Sequence, residues 1–71
     1  MNGYILFDKS GKRLTHNLTF SDHENAGWLW SVDEAMEIIS QGVPVVYCQA
    51  AELLEKDGDV NVYVLGEIEE I

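Results

Sequence analysis

Three side chains in this sequence, His16, His23 and Cys48, are of the types that serve as nucleophile, general base or borderline-soft metal ligand. Asp22-His23-Glu24 places an imidazole between two carboxylates. Its spacing matches neither a zinc site nor a calcium loop, and in a polar segment such a run reads as solvated loop. A Cys–His pair needs proximity. Cys48, however, lies in an apolar stretch that reads as a central strand, where a free thiol packs as a small hydrophobe. His16 falls on the apolar side of an alternating segment and reads as a packed, hydrogen-bonded histidine. Carboxylate pairs carry no information in a chain with 13 acids. There is no glycine-rich phosphate loop, dinucleotide fingerprint or nucleophile elbow. A chain of 71 residues also has little room for both a core and a substrate pocket. The sequence therefore reads as a non-catalytic protein that calls for no metal and no cofactor.

Charge is the distinctive property. Thirteen acids against four bases give a net charge of −9. Lys9, Lys12 and Arg13 cluster within five residues, opposed only by Asp8, whereas residues 14–71 hold 12 acids and the single base Lys56. A folded chain of this length has a diameter of roughly 28 Å. Duplex DNA carries roughly 16 charges over that length, so the excess on this protein approaches the same density. Such a field repels nucleic acid and anionic membranes and attracts basic protein surfaces. Solubility alone is served by a net charge of about 2–8 in magnitude. A lone cysteine excludes an intramolecular disulfide. Without a basic-led apolar start or an apolar run near 18 residues, the sequence lacks the marks of a signal peptide or membrane span and suggests a reducing, cytoplasmic setting.

The elements that would position these groups belong to a single domain, residues 1–71. Residues 3–8 are β-branched and aromatic and read as a strand, followed by a turn at Asp8-Lys9-Ser10-Gly11. Residues 12–20 alternate, with Leu14, His16, Leu18 and Phe20 on one side, which predicts the second strand of a hairpin. Residues 21–27 form a polar loop. Ser31 with Glu34 three residues on is a capping box, Val32, Ala35, Met36 and Ile39 follow helical spacing with Ile38 beside them, and Gly42-Val43-Pro44 ends the pattern. This predicts a helix from about 32 to 41. Residues 43–49 and 60–65 read as strands. Residues 50–56 are helix formers by propensity, but Lys56-Asp57-Gly58-Asp59 is a hairpin turn, and a long hairpin with a bulge is favoured over a short helix. The order β-β-α-β-β predicts an α+β fold, an antiparallel sheet of about four strands with the helix packed on one face and the other face partly wet. Leu6 or Phe7, Leu14, Leu18, Ile39, Val46 and Val62 are the expected core.

Two surfaces remain for recognition. Carboxylates gather on the helix (Asp33, Glu34, Glu37), around the hairpin turn (Glu52, Glu55, Asp57, Asp59) and on the tail (Glu67, Glu69, Glu70). Trp28 and Trp30 flank the helix start; one would staple helix to sheet, and a half-exposed one would anchor a partner. In size, charge and lack of catalytic motifs, the whole chain resembles the small acidic single-domain phage inhibitors of the anti-CRISPR and anti-restriction class. The resemblance implies stoichiometric binding, in the host cytoplasm, to a CRISPR effector or another basic nucleic-acid-binding complex. Its carboxylates would substitute for phosphates, with no direct contact to nucleic acid or membrane and the basic cluster turned away. The other reading is a generic acidic interaction module or accessory subunit, self-associating through the uncovered sheet face. The sequence leaves monomer and dimer open.

Overall fold

The computed structural model describes all residues from Met1 to Ile71. Seven elements follow one another: β1 (Asn2–Phe7), β2 (Arg13–Leu14), β3 (Phe20–Ser21), α1 (Val32–Ser40), β4 (Tyr47–Lys56), β5 (Asp59–Val64) and β6 (Glu69–Glu70). The fold is α+β, with one helix and a curled antiparallel sheet. The sheet has six strands rather than about four, in the order β3-β2-β1-β4-β5, and β6 also pairs with β4.

The first turn forms as the sequence requires. The Asp8 carboxylate accepts the backbone N–H of Ser10 and of Lys12, each at 2.9 Å, and Gly11 takes a φ of +82° that few other residues tolerate. The strand expected over 12–20 does not form. After Leu14 the chain reverses: Thr15 donates its N–H to the Thr19 carbonyl at 2.8 Å, and Leu18 adopts a φ of +62°. The cause lies elsewhere in the chain. Trp30 exchanges backbone hydrogen bonds with Tyr4, at 2.7 and 2.8 Å, and so occupies the edge of β1 along which residues 16–18 would have run. Leu18 is exposed instead of buried, and His16 is an exposed turn residue, not a packed one.

Helix α1 is set by its ends. Ser31 Oγ accepts the Glu34 N–H and the Glu34 carboxylate accepts the Ser31 N–H, both at 3.1 Å. At the other end Gly42, with φ +87°, donates to the Ile39 carbonyl at 3.1 Å and Val43 donates to that of Ile38 at 3.4 Å, a Schellman closure. The helix buries Ala35 and Ile38, gathered with Leu6, Leu14 and Trp30 into one cluster. Ile39 is 39% exposed, so the buried stripe lies beside the one expected: alanine lets the helix come close, and Ile38, one turn on, reaches the cluster. Alternation along β1 sends Ile5 and Phe7 to the other side of the sheet, where they meet Leu29 and Ala51 in a second cluster. That side is partly wet, as expected: Leu29 covers Ile5 and Phe7, while Val60, Val62 and Val64 on the same face stay exposed.

Residues 50–56 are strand throughout. β4 pairs with β5 in continuous register from Ala51↔Val64 to Lys56↔Asp59, so the long hairpin forms without a bulge in this stretch. Helix propensity yields here because β1 pairs with β4 only as far as Glu52, and the two-residue turn at Asp57 (φ +55°) and Gly58 (φ +83°) extends the ladder outward. Val62, expected in the core, is exposed on this extension.

Replacing Ser31 by Ala should cost about 0.5–2 kcal/mol through loss of the cap. Ile38→Ala should cost about 2–5 kcal/mol, and Ile39→Ala clearly less. Urea denaturation of the three variants checks this ranking; equal losses at 38 and 39 would mean that the helix is rotated from the position described.

Candidate protein-interaction surface

The hairpin of β4 and β5 outreaches the rest of the sheet. β4 is ten residues long and β1 six, and their pairing ends at Asn2↔Glu52, extended only by Met1 against Leu53. Leu54 to Asn61 therefore stand as a two-stranded arm. Every residue of β5 is exposed. Val60, Val62 and Val64 line one face, on the same side as Leu53 and Ala51, while Tyr63 and Asn61 line the other. Leu54 on the arm and Leu65, Ile68 and Ile71 further along the tail are also exposed.

The tail continues along the same edge of β4. Leu65 donates its N–H to the Ala50 carbonyl at 2.8 Å, and Ile71 to that of Val46 at 2.9 Å. Between them the chain bows outward, and Gln49 Nε2 donates to the Gly66 carbonyl at 2.9 Å. β6 then pairs Glu69 with Cys48 and Glu70 with Tyr47. The Cys48 thiol is pushed up from its ordinary value, first by burial and then by the negative charge of Glu69. This half-buried thiol packs against the Leu6 cluster, whereas His16 stands exposed beside Trp28.

The carboxylates do not converge on one patch. Glu55, Asp57 and Asp59 crown the arm and are exposed. Glu67, Glu69 and Glu70 lie at the other end of the same edge: from the Lys56↔Asp59 pair to the Cys48↔Glu69 pair is eight residues of strand, roughly 27 Å. Glu52, half-buried, sits between them opposite Tyr63. The helix supplies a third group, of which Asp33 is exposed, Glu37 accepts from Gln41 Nε2 at 3.3 Å, and Glu34 is committed to the cap. The basic turn with Lys9 and Lys12 follows Phe7, which pairs with Tyr47, and so lies at the opposite end of the sheet from Asp57; the Arg13 guanidinium sits 5.4 Å over the Phe7 ring. No three His, Cys, Asp or Glu side chains are grouped to hold a metal ion.

The tryptophans divide their roles. Trp30 is buried, with its indole N–H directed to the Leu14 carbonyl at 3.4 Å. Trp28 is half exposed, tilted against the His16 ring at 5.3 Å, and lines a groove of about 900 Å³ together with Leu29, Leu53 and Val62. A partly uncovered apolar sheet face was expected from the sequence, but Val62 was placed in the core and β5 was not singled out as that face. The signal available was Val60-Asn61-Val62-Tyr63-Val64-Leu65 itself, an uncharged run with apolar residues of both parities. No helix is long and apolar enough to cross a membrane.

The pairing of Glu69 with Cys48 has a chemical readout. Glu69→Gln should speed alkylation of Cys48 by iodoacetamide at fixed pH near 8, because less negative charge lets more thiolate form. The gain should be modest, since burial is the larger cause. An unchanged rate would show that β6 does not dock beside Cys48.

No protein-family model, curated protein or solved structure matches this chain, and the surface just described carries the functional reading by its own physics.

Proposed function

We propose that the protein is a non-catalytic inhibitor that binds a basic nucleic-acid-binding protein or complex, such as a CRISPR effector, and offers carboxylates where that partner receives phosphates. The observation that carries this reading is the exposure of the acids. None of the 13 is buried, and 11 are exposed. Exposed carboxylates are usual in folded proteins; what is unusual here is their number against four bases, and nearly all remain available to a partner. The crown of Glu55, Asp57 and Asp59 is the leading contact, because the arm projects it away from the body and the basic turn lies at the far end of the sheet. Asp33 and Glu37 flank the helix side, with Glu52 and the tail acids along the edge. Glu34 contributes its charge from within the cap. Trp28 is the apolar anchor within reach of this surface, a role Trp30 does not share because it belongs to the core.

The exposed β5 strand favours a second reading, a generic acidic interaction module or accessory subunit that uses apolar contact. Ionic strength separates the two, since binding through exposed charge weakens as the Debye length falls below about 8 Å above 0.15 M salt.

Exposed carboxylates contribute little one at a time, so Glu37→Gln alone should leave binding to a purified CRISPR effector nearly intact. The combination Glu37→Lys, Glu55→Lys, Asp59→Lys and Asp57→Asn should abolish it without unfolding the chain; asparagine at 57 keeps the positive φ of the turn. Binding should compete with duplex DNA and fall with salt. Salt-independent binding that survives the combined change and is lost in Trp28→Ala would replace mimicry by recognition through shape and apolar contact.

A further inference from the structure

We propose that β5 is a self-complementary dimerisation edge, on which a second copy of this chain docks antiparallel with the two-fold axis at Val62. The hydrogen-bond parity of the hairpin carries the argument. Leu53 uses both of its backbone groups on Met1: its N–H reaches the Met1 carbonyl at 2.8 Å, and its carbonyl accepts the terminal ammonium at 3.1 Å. Those groups therefore point away from β5, and Val62, directly opposite Leu53, has its own N–H and C=O turned outward. The Leu65 N–H on the Ala50 carbonyl fixes the same alternation three residues further on. Asp59, Asn61, Tyr63 and Leu65 thus face β4, while Val60, Val62 and Val64 present their backbone donors and acceptors to solvent.

An antiparallel partner closes this ladder only in certain registers. With Val62 opposite Val62 of the second copy, Val60 falls opposite Val64 and Val64 opposite Val60. All three outward-facing residues then become hydrogen-bonded pairs at once. The same register joins the three valines of each copy into one apolar stripe on one face and sets Asn61 beside Tyr63 on the other. No two charges oppose each other within the strand, because Asp59 is its only charged residue and stands beyond Val60. Long, flat, apolar edges are normally protected by lysine, proline or a bulge; β5 has none of these. Val60, Val62 and Val64 are each about half exposed in the single chain, so the paired edges have apolar surface to bury against one another.

This dimer is independent of the inhibitor reading, and salt acts on the two in opposite directions. Each copy carries −9, so screening should strengthen self-association while it weakens binding to a basic partner. Sedimentation equilibrium of the intact chain from micromolar to millimolar concentration should show a monomer–dimer equilibrium that tightens with added NaCl. Val62→Lys should raise the dissociation constant at least about tenfold. Val62→Pro removes an N–H that β4 does not use, and should do the same. Amide exchange on the unmodified chain supplies a readout that needs no variant. Asn61, Tyr63 and Leu65 should be protected at every concentration, and Val60, Val62 and Val64 only where the dimer forms. A chain that stays monomeric at 1 mM in 0.5 M NaCl overturns the proposal and leaves the edge to a strand from a different protein. A dimer that persists in both folded Val62 variants, or one that leaves the valine amides unprotected, overturns it as well.

Discussion

The mutual backbone hydrogen bonds of Tyr4 and Trp30 hold the architecture together. They bring the segment before the helix onto the edge of β1, and three features follow. Gly3 must be glycine, since a Cβ there would collide with the Trp30 carbonyl. β2 must stop at Leu14, because the edge it would follow is taken. The helix must begin at once, with Ser31 as its cap, and its first buried residue, Ala35, then lies with Trp30, Leu6 and Leu14. A short chain buries a smaller fraction of its surface than a long one, and here the buried residues are concentrated around β1.

The concentration has a consequence at the other end of the molecule. β1 is too short to support all of β4, so the distal half of the long hairpin has no layer against either face. The two strands are held there by their own ladder and by the primed turn at Asp57-Gly58. Isolated two-stranded ribbons are marginal in water. The arm is accordingly the part of the fold expected to open first, and the part for which a bound partner yields the largest gain in order. Its apolar side chains contribute little to the monomer's core. Exposed apolar surface of this kind is what the proposed partner contact would cover.

What the sequence made legible was local chemistry. The Asp8–Gly11 turn, the Ser31–Glu34 box, the Gly42 closure and the Asp57-Gly58 turn are each specified by a few adjacent residues, and each stands where those residues put it. What was illegible depended on contacts distant in sequence. Nothing within 12–20 announces that Trp30 will occupy the neighbouring edge, so the alternation there read as one strand. Nothing within 50–56 outweighs helix propensity except the hairpin turn that follows. Val62 has the period and residue type of a core position; it is exposed because no helix or loop packs over its face of the sheet. The same limit applies to recognition. The acids were legible as a total and as three groups, but their separation along roughly 27 Å of one edge, and the commitment of Glu34 to the cap, come from the pairing register.

The acidity and the apolar edge are best understood together. A chain of this size exposing an uncharged β-strand would pair indiscriminately if it were neutral. Asp59 at one end of that strand and Glu67, Glu69 and Glu70 beyond the other place negative charge at both approaches to it, and the arm's tip adds Glu55 and Asp57. Charges flanking an apolar segment act as gatekeepers: they do not prevent pairing, but they restrict which strands come near. A strand bearing acids in the same places is tolerated only in a register that keeps them off the ladder. A basic surface is drawn in by the same charges. On the two proposals made above, the net charge of −9 would favour a basic neighbour and oppose a second copy, and ionic strength would shift the balance between them.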